Sequence, residues 1–185
     1  MSTPTAIPVP APLTLHEERV RAEWLDYNDH MNVAYYVMVF DHASEAFIEY
    51  LGMGAAYTRA TRGSWVVLES HNTFSRELRR DDPLQVATRV LAFDAKRVHV
   101  FHTLCHAGER HQAATSELML MHVDLDARRS SPFPPAVLER VRQVAVAHAS
   151  LPRPAEAGRV IGLPVPRPPG GPSDFRCQPA RLANK

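Results

Sequence analysis

Between residues 33 and 51, apolar side chains recur every three or four positions: Val33, Tyr36, Val37, Phe40, Phe47, Ile48 and Leu51. That is the period of a helix with a broad apolar face. Ala34, Tyr35, Met38, Val39 and Ala43 leave little of the remaining circumference polar. A helix so apolar all round has to be wrapped by other structure. Elsewhere the period shortens. Residues 16–24 alternate and predict a strand, and 66–78, 84–93, 97–106 and 112–124 predict four long strands. Short polar connections at 79–83, 94–96 and 107–110 join the four as antiparallel neighbours. Residues 134–148 return to helical spacing. One strand, a long helix and four consecutive strands predict an α+β fold, with an antiparallel sheet packed on a single helix. Gly52-Met53-Gly54 ends that helix. It lacks the further glycine and the preceding strand of a dinucleotide-binding loop.

Composition narrows the functional classes. The chain has 185 residues, 45% of them hydrophobic, and a formal charge of +1, which suits one globular domain and offers nucleic acid no basic patch. No segment approaches the ~20 apolar residues of a membrane span, and the first residues show no basic cluster followed by an apolar run, so neither a leader nor membrane association is expected. The two cysteines, Cys105 and Cys177, are far apart, so the expectation is no disulfide and a reducing, cytoplasmic compartment. Residues 151–185 hold eight of the sixteen prolines. The expected organisation is a Pro-rich arm at 1–14, a folded domain at 15–150 and an extended or disordered Pro-rich tail at 151–185.

The chemistry concentrates just before the helix. Asp26, Asn28, Asp29, His30 and Asn32 fall within seven positions. A helix start needs one capping residue, and Asp29 or Asn32 could be it; capping leaves the others unexplained. An acid, an amide and an imidazole can position water, accept a proton and hydrogen-bond a carbonyl, while the helix start offers unpaired backbone N–H groups. That assembly suits attack on an acyl carbonyl. The ten histidines do not predict a metal centre, because His102 and His106 lie about 13 Å apart along one strand and His99 faces the other way. No helical His-x-x-x-His and no paired cysteines occur.

The order strand, long helix, four-stranded meander, with Asp26-Tyr27-Asn28-Asp29-His30-Met31-Asn32 entering the helix, resembles the hotdog-fold acyl-CoA thioesterases of the 4-hydroxybenzoyl-CoA thioesterase-like superfamily. The likeness spans about residues 15–130. The run 24–36, Phe40-Asp41 and Asp94-Ala95-Lys96-Arg97-Val98-His99 look most like the betainyl-CoA thioesterases associated with carnitine dehydrogenase. The resemblance implies a curved antiparallel sheet around the helix, hydrolysis of an acyl-CoA to free acid and CoA, no cofactor, and a homodimer or dimer of dimers with sites between subunits. It places the catalytic carboxylate on Asp26, with Asn28 and His30 beside it. It also implies a second acid at Glu77, because Phe74-Ser75-Arg76-Glu77 resembles the acid-bearing strand of acyl-carrier-protein thioesterases; Glu69 is the rival. Lys96 and Arg97, with Arg128 and Arg129, are candidates for the CoA phosphates. Tyr27, Tyr35 and Trp65 are candidates for a trimethylammonium group. Two other classes compete: an enoyl-CoA hydratase on the same fold, and a non-catalytic acyl-CoA or partner-binding module. The hydratases carry Asp-x-Asn-Pro-x-His, and this chain lacks the proline and brings the histidine one residue closer.

Overall fold

The computed structural model describes residues 9–163. The core is a curled antiparallel sheet of β1 (Leu13–Arg19), β2 (Gly63–Phe74), β3 (Pro83–Phe93), β4 (Arg97–His106) and β5 (Gln112–Asp124), in spatial order β1-β3-β4-β5-β2, with the two-residue β6 (Arg129–Ser130) beside β5. The long helix α1 (Val33–Tyr50) packs on β1, β3, β4 and β5. Two shorter helices follow as α2 (Ala55–Thr61) and α3 (Pro135–His148).

Local chemistry sets the ends of α1. Asn32 is its cap, its side-chain oxygen accepting the Ala34 N–H at 3.0 Å. At the other end Gly52 adopts φ +81°, the Gly52 N–H bonds the Glu49 carbonyl and the Met53 N–H bonds the Ile48 carbonyl. These paired bonds need a left-handed residue, which glycine supplies without strain. The helix buries Val39, Phe40, Ala43 and Phe47. Phe40 packs near the N-terminal half with Trp24, Val86 and Leu104, and Phe47 packs with Val100, Leu118, Leu120 and the α3 residues Val141 and Val144. The curl of the sheet covers that side of the helix, whereas Val33 and Val37, expected to be covered as well, stay exposed in the single chain.

The predicted strands at 84–93, 97–106 and 112–124 and both long helices match the observed elements to within a residue. The others shift for identifiable reasons. The first strand ends at Arg19 instead of 24, because a 3-10 turn at Ala22–Trp24 tucks Trp24 into the core, where it stacks on Tyr35. The second begins at Gly63 and ends at Phe74 instead of 78, because the Ser75 and Arg76 N–H groups both turn onto the Ala113 carbonyl. Helix α2 buries none of its residues, so it left no periodic signal. Packing also runs past the domain limits expected at 15 and 150. Leu13 is fully buried, and beyond α3 the Pro152 carbonyl accepts from Arg89, Glu156 from Gln112, and Glu117 from the Gly158 N–H. Residues 1–8 and 164–185, with the proline run 168–172, lie outside the described residues. Cys105, buried in β4, is disulfide-bonded, which corrects the expectation of two reduced cysteines; Cys177 lies outside the described residues.

Candidate active site

The polar string before α1 folds into a tight loop. Leu25 and Met31 form an antiparallel bridge, the Asp26 N–H bonds the His30 carbonyl at 2.9 Å, and Asp29 sits at the left-handed turn with φ +59°. Asp26 organises this loop through its carboxylate, which accepts the N–H of Asn28 at 2.8 Å and, more weakly, that of His30 at 3.4 Å. The Met31 N–H then bonds the Leu78 carbonyl at 2.8 Å. That bond joins the loop to the connection leaving β2, the segment carrying Glu77. Sequence-distant groups are thereby brought together: His30 Nε2 lies 3.2 Å from Glu77 Oε2.

Asp26, His30 and Glu77 line one open cavity of about 460 Å³, with Val33, Tyr36, Phe74 and Arg76 among the other walls. At the start of α1, Asn32 accepts the Ala34 and Tyr35 N–H groups, on its side chain and its carbonyl, and Val33, the first helical residue, is among the residues lining the cavity. Tyr36 meets Phe74 edge to face at 5.4 Å, and its hydroxyl donates to the Arg76 carbonyl at 3.4 Å. Burial pushes that hydroxyl up to about 12, so Tyr36 stays a protonated donor at neutral pH. On Glu77 the second carboxylate oxygen takes Arg79 at 2.7 Å.

The remaining candidates fall elsewhere in a single chain. Asn28 is exposed, and it is its backbone N–H that serves the loop. Tyr27 is 95% exposed, and Tyr35 stacks on Trp24. Trp65, at the start of β2, packs at 5.0 Å on Phe133. Glu69 sits on the exposed edge of β2 next to a bulge, about five residues or ~17 Å from Phe74. Lys96 donates to Ser130, and Arg97 is forked onto Asp94 in the β3–β4 turn. Of the two rival acids, the cavity therefore contains Glu77. Tyr36, Phe74 and Arg76 were missed as site residues. Tyr36 reads from its spacing as a plain core position, and the turn that delivers Arg76 comes from a register detail between β2 and β5.

The comparisons with known proteins agree with this architecture. Residues 20–141 match the family model of the thioesterase-like superfamily. The betainyl-CoA thioesterase of Pseudomonas aeruginosa is 42% identical over 152 residues, covering 82% of this chain and 96% of that protein. The L-carnitine dehydrogenase/betainyl-CoA thioesterase of Rhizobium meliloti is 34% identical over 151 residues, which is 82% of this chain but 30% of that longer protein. Among solved structures, a protein of Pseudomonas putida KT2440 assigned as a thioesterase superposes with a TM-score of 0.75 at 34% identity, covering 85% of this chain and 100% of that one. A Staphylococcus aureus protein solved in complex with CoA superposes with a TM-score of 0.78 at 26% identity, covering 84% and 99%.

Proposed function

This chain belongs to the thioesterase-like superfamily and is a hotdog-fold acyl-CoA thioesterase, and on that premise we propose that its substrate is betainyl-CoA, cleaved to betaine and CoA. The observation carrying the substrate is the 42% identity to a betainyl-CoA thioesterase over nearly the whole of both chains. The cavity is compatible with a cationic acyl group. Asp26 and Glu77 supply negative charge and Tyr36 and Phe74 supply aromatic surface, the environment a trimethylammonium group favours. Neither competing class, hydratase or binding module, is favoured by these relatives.

In the proposed reaction Asp26 acts on the thioester carbonyl, either by taking a proton from an attacking water or by attacking directly to form a mixed anhydride that water then opens. The thiolate of CoA leaves with little help, since a thiol of pKa about 8.5 is a good leaving group. In this proposal the negative charge that grows on the carbonyl oxygen is received by a backbone N–H of the first turn of α1, that of Val33. His30, held by Glu77, orients the water or the thioester. Asn28 supports the loop through its backbone.

The active assembly is proposed as a homodimer or a dimer of dimers. Strand β2 is one of the two edges of the sheet and exposes Val66, Val67 and Leu68, an arrangement that invites pairing with another strand. Antiparallel pairing of β2 with its own copy would set the Trp65 end of one protomer against the Phe74 end of the other. Lys96 lies at the Trp65 end, since its carbonyl accepts the N–H of His122, the register partner of Trp65. Trp65, Glu69, Lys96 and Arg97 thus become candidates for the partner's substrate site. We propose a cytoplasmic location in spite of the Cys105 disulfide, checked by cell fractionation; no helix among the described residues is long and apolar enough to cross a membrane.

The test follows thiol release from betainyl-CoA, from short and long straight-chain acyl-CoAs and from aromatic acyl-CoAs, with Asp26→Asn as control. Release confined to betainyl-CoA and abolished by the substitution is the expected result. Preference for another thioester would overturn the substrate and retain the enzyme class. Sedimentation of Leu68→Lys checks the assembly, with monomer and lost activity expected together.

A further inference from the structure

A second cluster of chemistry-bearing side chains lies outside the site just described. His16 and Glu18 on β1 and His42 on α1 bring one nitrogen or oxygen each to within 4.8 Å of one another. His16 Nε2 lies 2.7 Å and His42 Nδ1 3.2 Å from the same oxygen, Glu18 Oε1. The two rings meet edge to face at 5.6 Å. Glu18 is the most sheltered of the three, its side chain only 12% exposed.

A bulge in β1 creates this arrangement. The register with β3 slips between Thr14 and His16, so Thr14 pairs with Ala87 and His16 with Val86. Alternation without the slip would continue from the buried Leu13 through Leu15 to Glu17 and Arg19. With it, His16, Glu18 and the buried Val20 point to the helix side, while Glu17 turns to Gln85. Re-aiming side chains is a recurrent use of such bulges. Here it turns two donors toward the helical residue that supplies the third.

We propose that His16, Glu18 and His42 form a binding site for a divalent transition-metal ion of the Zn²⁺ type, clamping strand β1 to helix α1. Two imidazoles and one carboxylate are a donor set that such ions accept. In the present arrangement each imidazole directs an N–H at the shared oxygen. A bound ion takes the place of those two N–H groups, each neutral ring then carrying its one proton on the other nitrogen. Bonds of about 2.0–2.1 Å in tetrahedral geometry hold donor atoms about 3.4 Å apart, so the observed 2.7 and 3.2 Å separations need to open by about 0.7 and 0.2 Å, with the two nitrogens already within 4.8 Å of each other. His16 and His42 also line a cavity of about 720 Å³ together with Asp41, Glu45 and Trp65. The open side leaves room for water in the remaining coordination positions, and the two acids add negative potential that draws a cation. The sequence spacing hid this trio, because its members come from two elements and the strand pair faces the helix only through the bulge.

The test titrates Zn²⁺ calorimetrically into the full-length, untagged, chelator-stripped protein, with Co²⁺ absorption as a second readout. One equivalent should bind. His42→Ala and Glu18→Gln should each weaken it by roughly tenfold or more. His99→Gln, which alters a separate imidazole–carboxylate pair with Glu117, should leave it unchanged. Thermal unfolding verifies that each variant folds, and Zn²⁺ should raise the midpoint of the native protein but not that of His42→Ala. Absence of saturable binding, or equal binding in His42→Ala and Glu18→Gln, would overturn the proposal. Either result is independent of whether betainyl-CoA is the substrate.

Discussion

The pair His30–Glu77 and the trio His16–Glu18–His42 use the same chemistry in different degrees of shelter. In the first, both side chains are well exposed, 33% and 50%, and sit in an open cavity beside a helix start. In the second, Glu18 is 12% exposed and one of its oxygens already serves two imidazoles. A third imidazole marks the far limit. His102 is wholly buried between Ser44 and Thr88, and burial pushes it down to about 3. The Ser44 hydroxyl donates to the Phe40 carbonyl, so its oxygen must accept the His102 Nε2–H, and Nδ1 accepts from Thr88. Residue type is the same in all three. What differs is whether a substrate can approach and whether a hydrogen-bonding position is still open.

The sharpest way to break this contrast is Asp26→Asn. It should reduce kcat by about 10²–10⁴, the usual range for loss of a general base, while circular dichroism shows an intact fold. Next comes His102→Ala, which should cost about 2–4 kcal/mol in urea unfolding from the cavity and the orphaned Thr88 hydroxyl. In the native protein His102 has a folded pKa below its unfolded value of about 6.5. The unfolded chain therefore takes up a proton that the folded one refuses. Stability from this group is fully present above pH 6.5 and falls by roughly 1.4 kcal/mol per pH unit between about 6.5 and 3. His102→Ala should lose that slope. Glu77→Gln should then lower kcat/KM by about tenfold, or 1.4 kcal/mol. Adding His30→Ala should cost less than the sum of the two, since the pair acts as one unit; strict additivity would separate them. Smallest is Asn28→Ala, expected to change stability by less than about 0.5 kcal/mol and activity correspondingly little, because its contribution to the loop is a backbone N–H. A large loss of activity there would return the Asn28 side chain to the catalytic set.

Much of this was legible because periodicity reports burial directly. The apolar circumference of α1 announced a wrapped helix, and the polar string from Asp26 to Asn32 announced the mouth of a site. Asn32 as cap and Gly52 as stop follow from local preferences that need no tertiary context. Trp24 was misplaced in a strand because an alternating pattern cannot distinguish a strand end from a turn that inserts one large side chain. Trp65, expected to offer an aromatic face to the substrate, and Lys96 and Arg97, expected to hold the CoA phosphates, lie in one chain around the end of β2 opposite the Asp26 cavity. Only pairing between protomers would reunite them.

By itself, then, the amino-acid sequence determined the α+β class, the meander, the capped central helix and the loop that presents Asp26 and His30. All of these depend on residues within a few positions of each other. The tertiary structure alone decided that Glu77 and not Glu69 meets His30, that Tyr36 and Phe74 wall the cavity, and that His16, Glu18 and His42 converge. Each depends on strand register. A one-residue slip turns every later side chain to the opposite face, and the packing of distant segments sets where such slips occur.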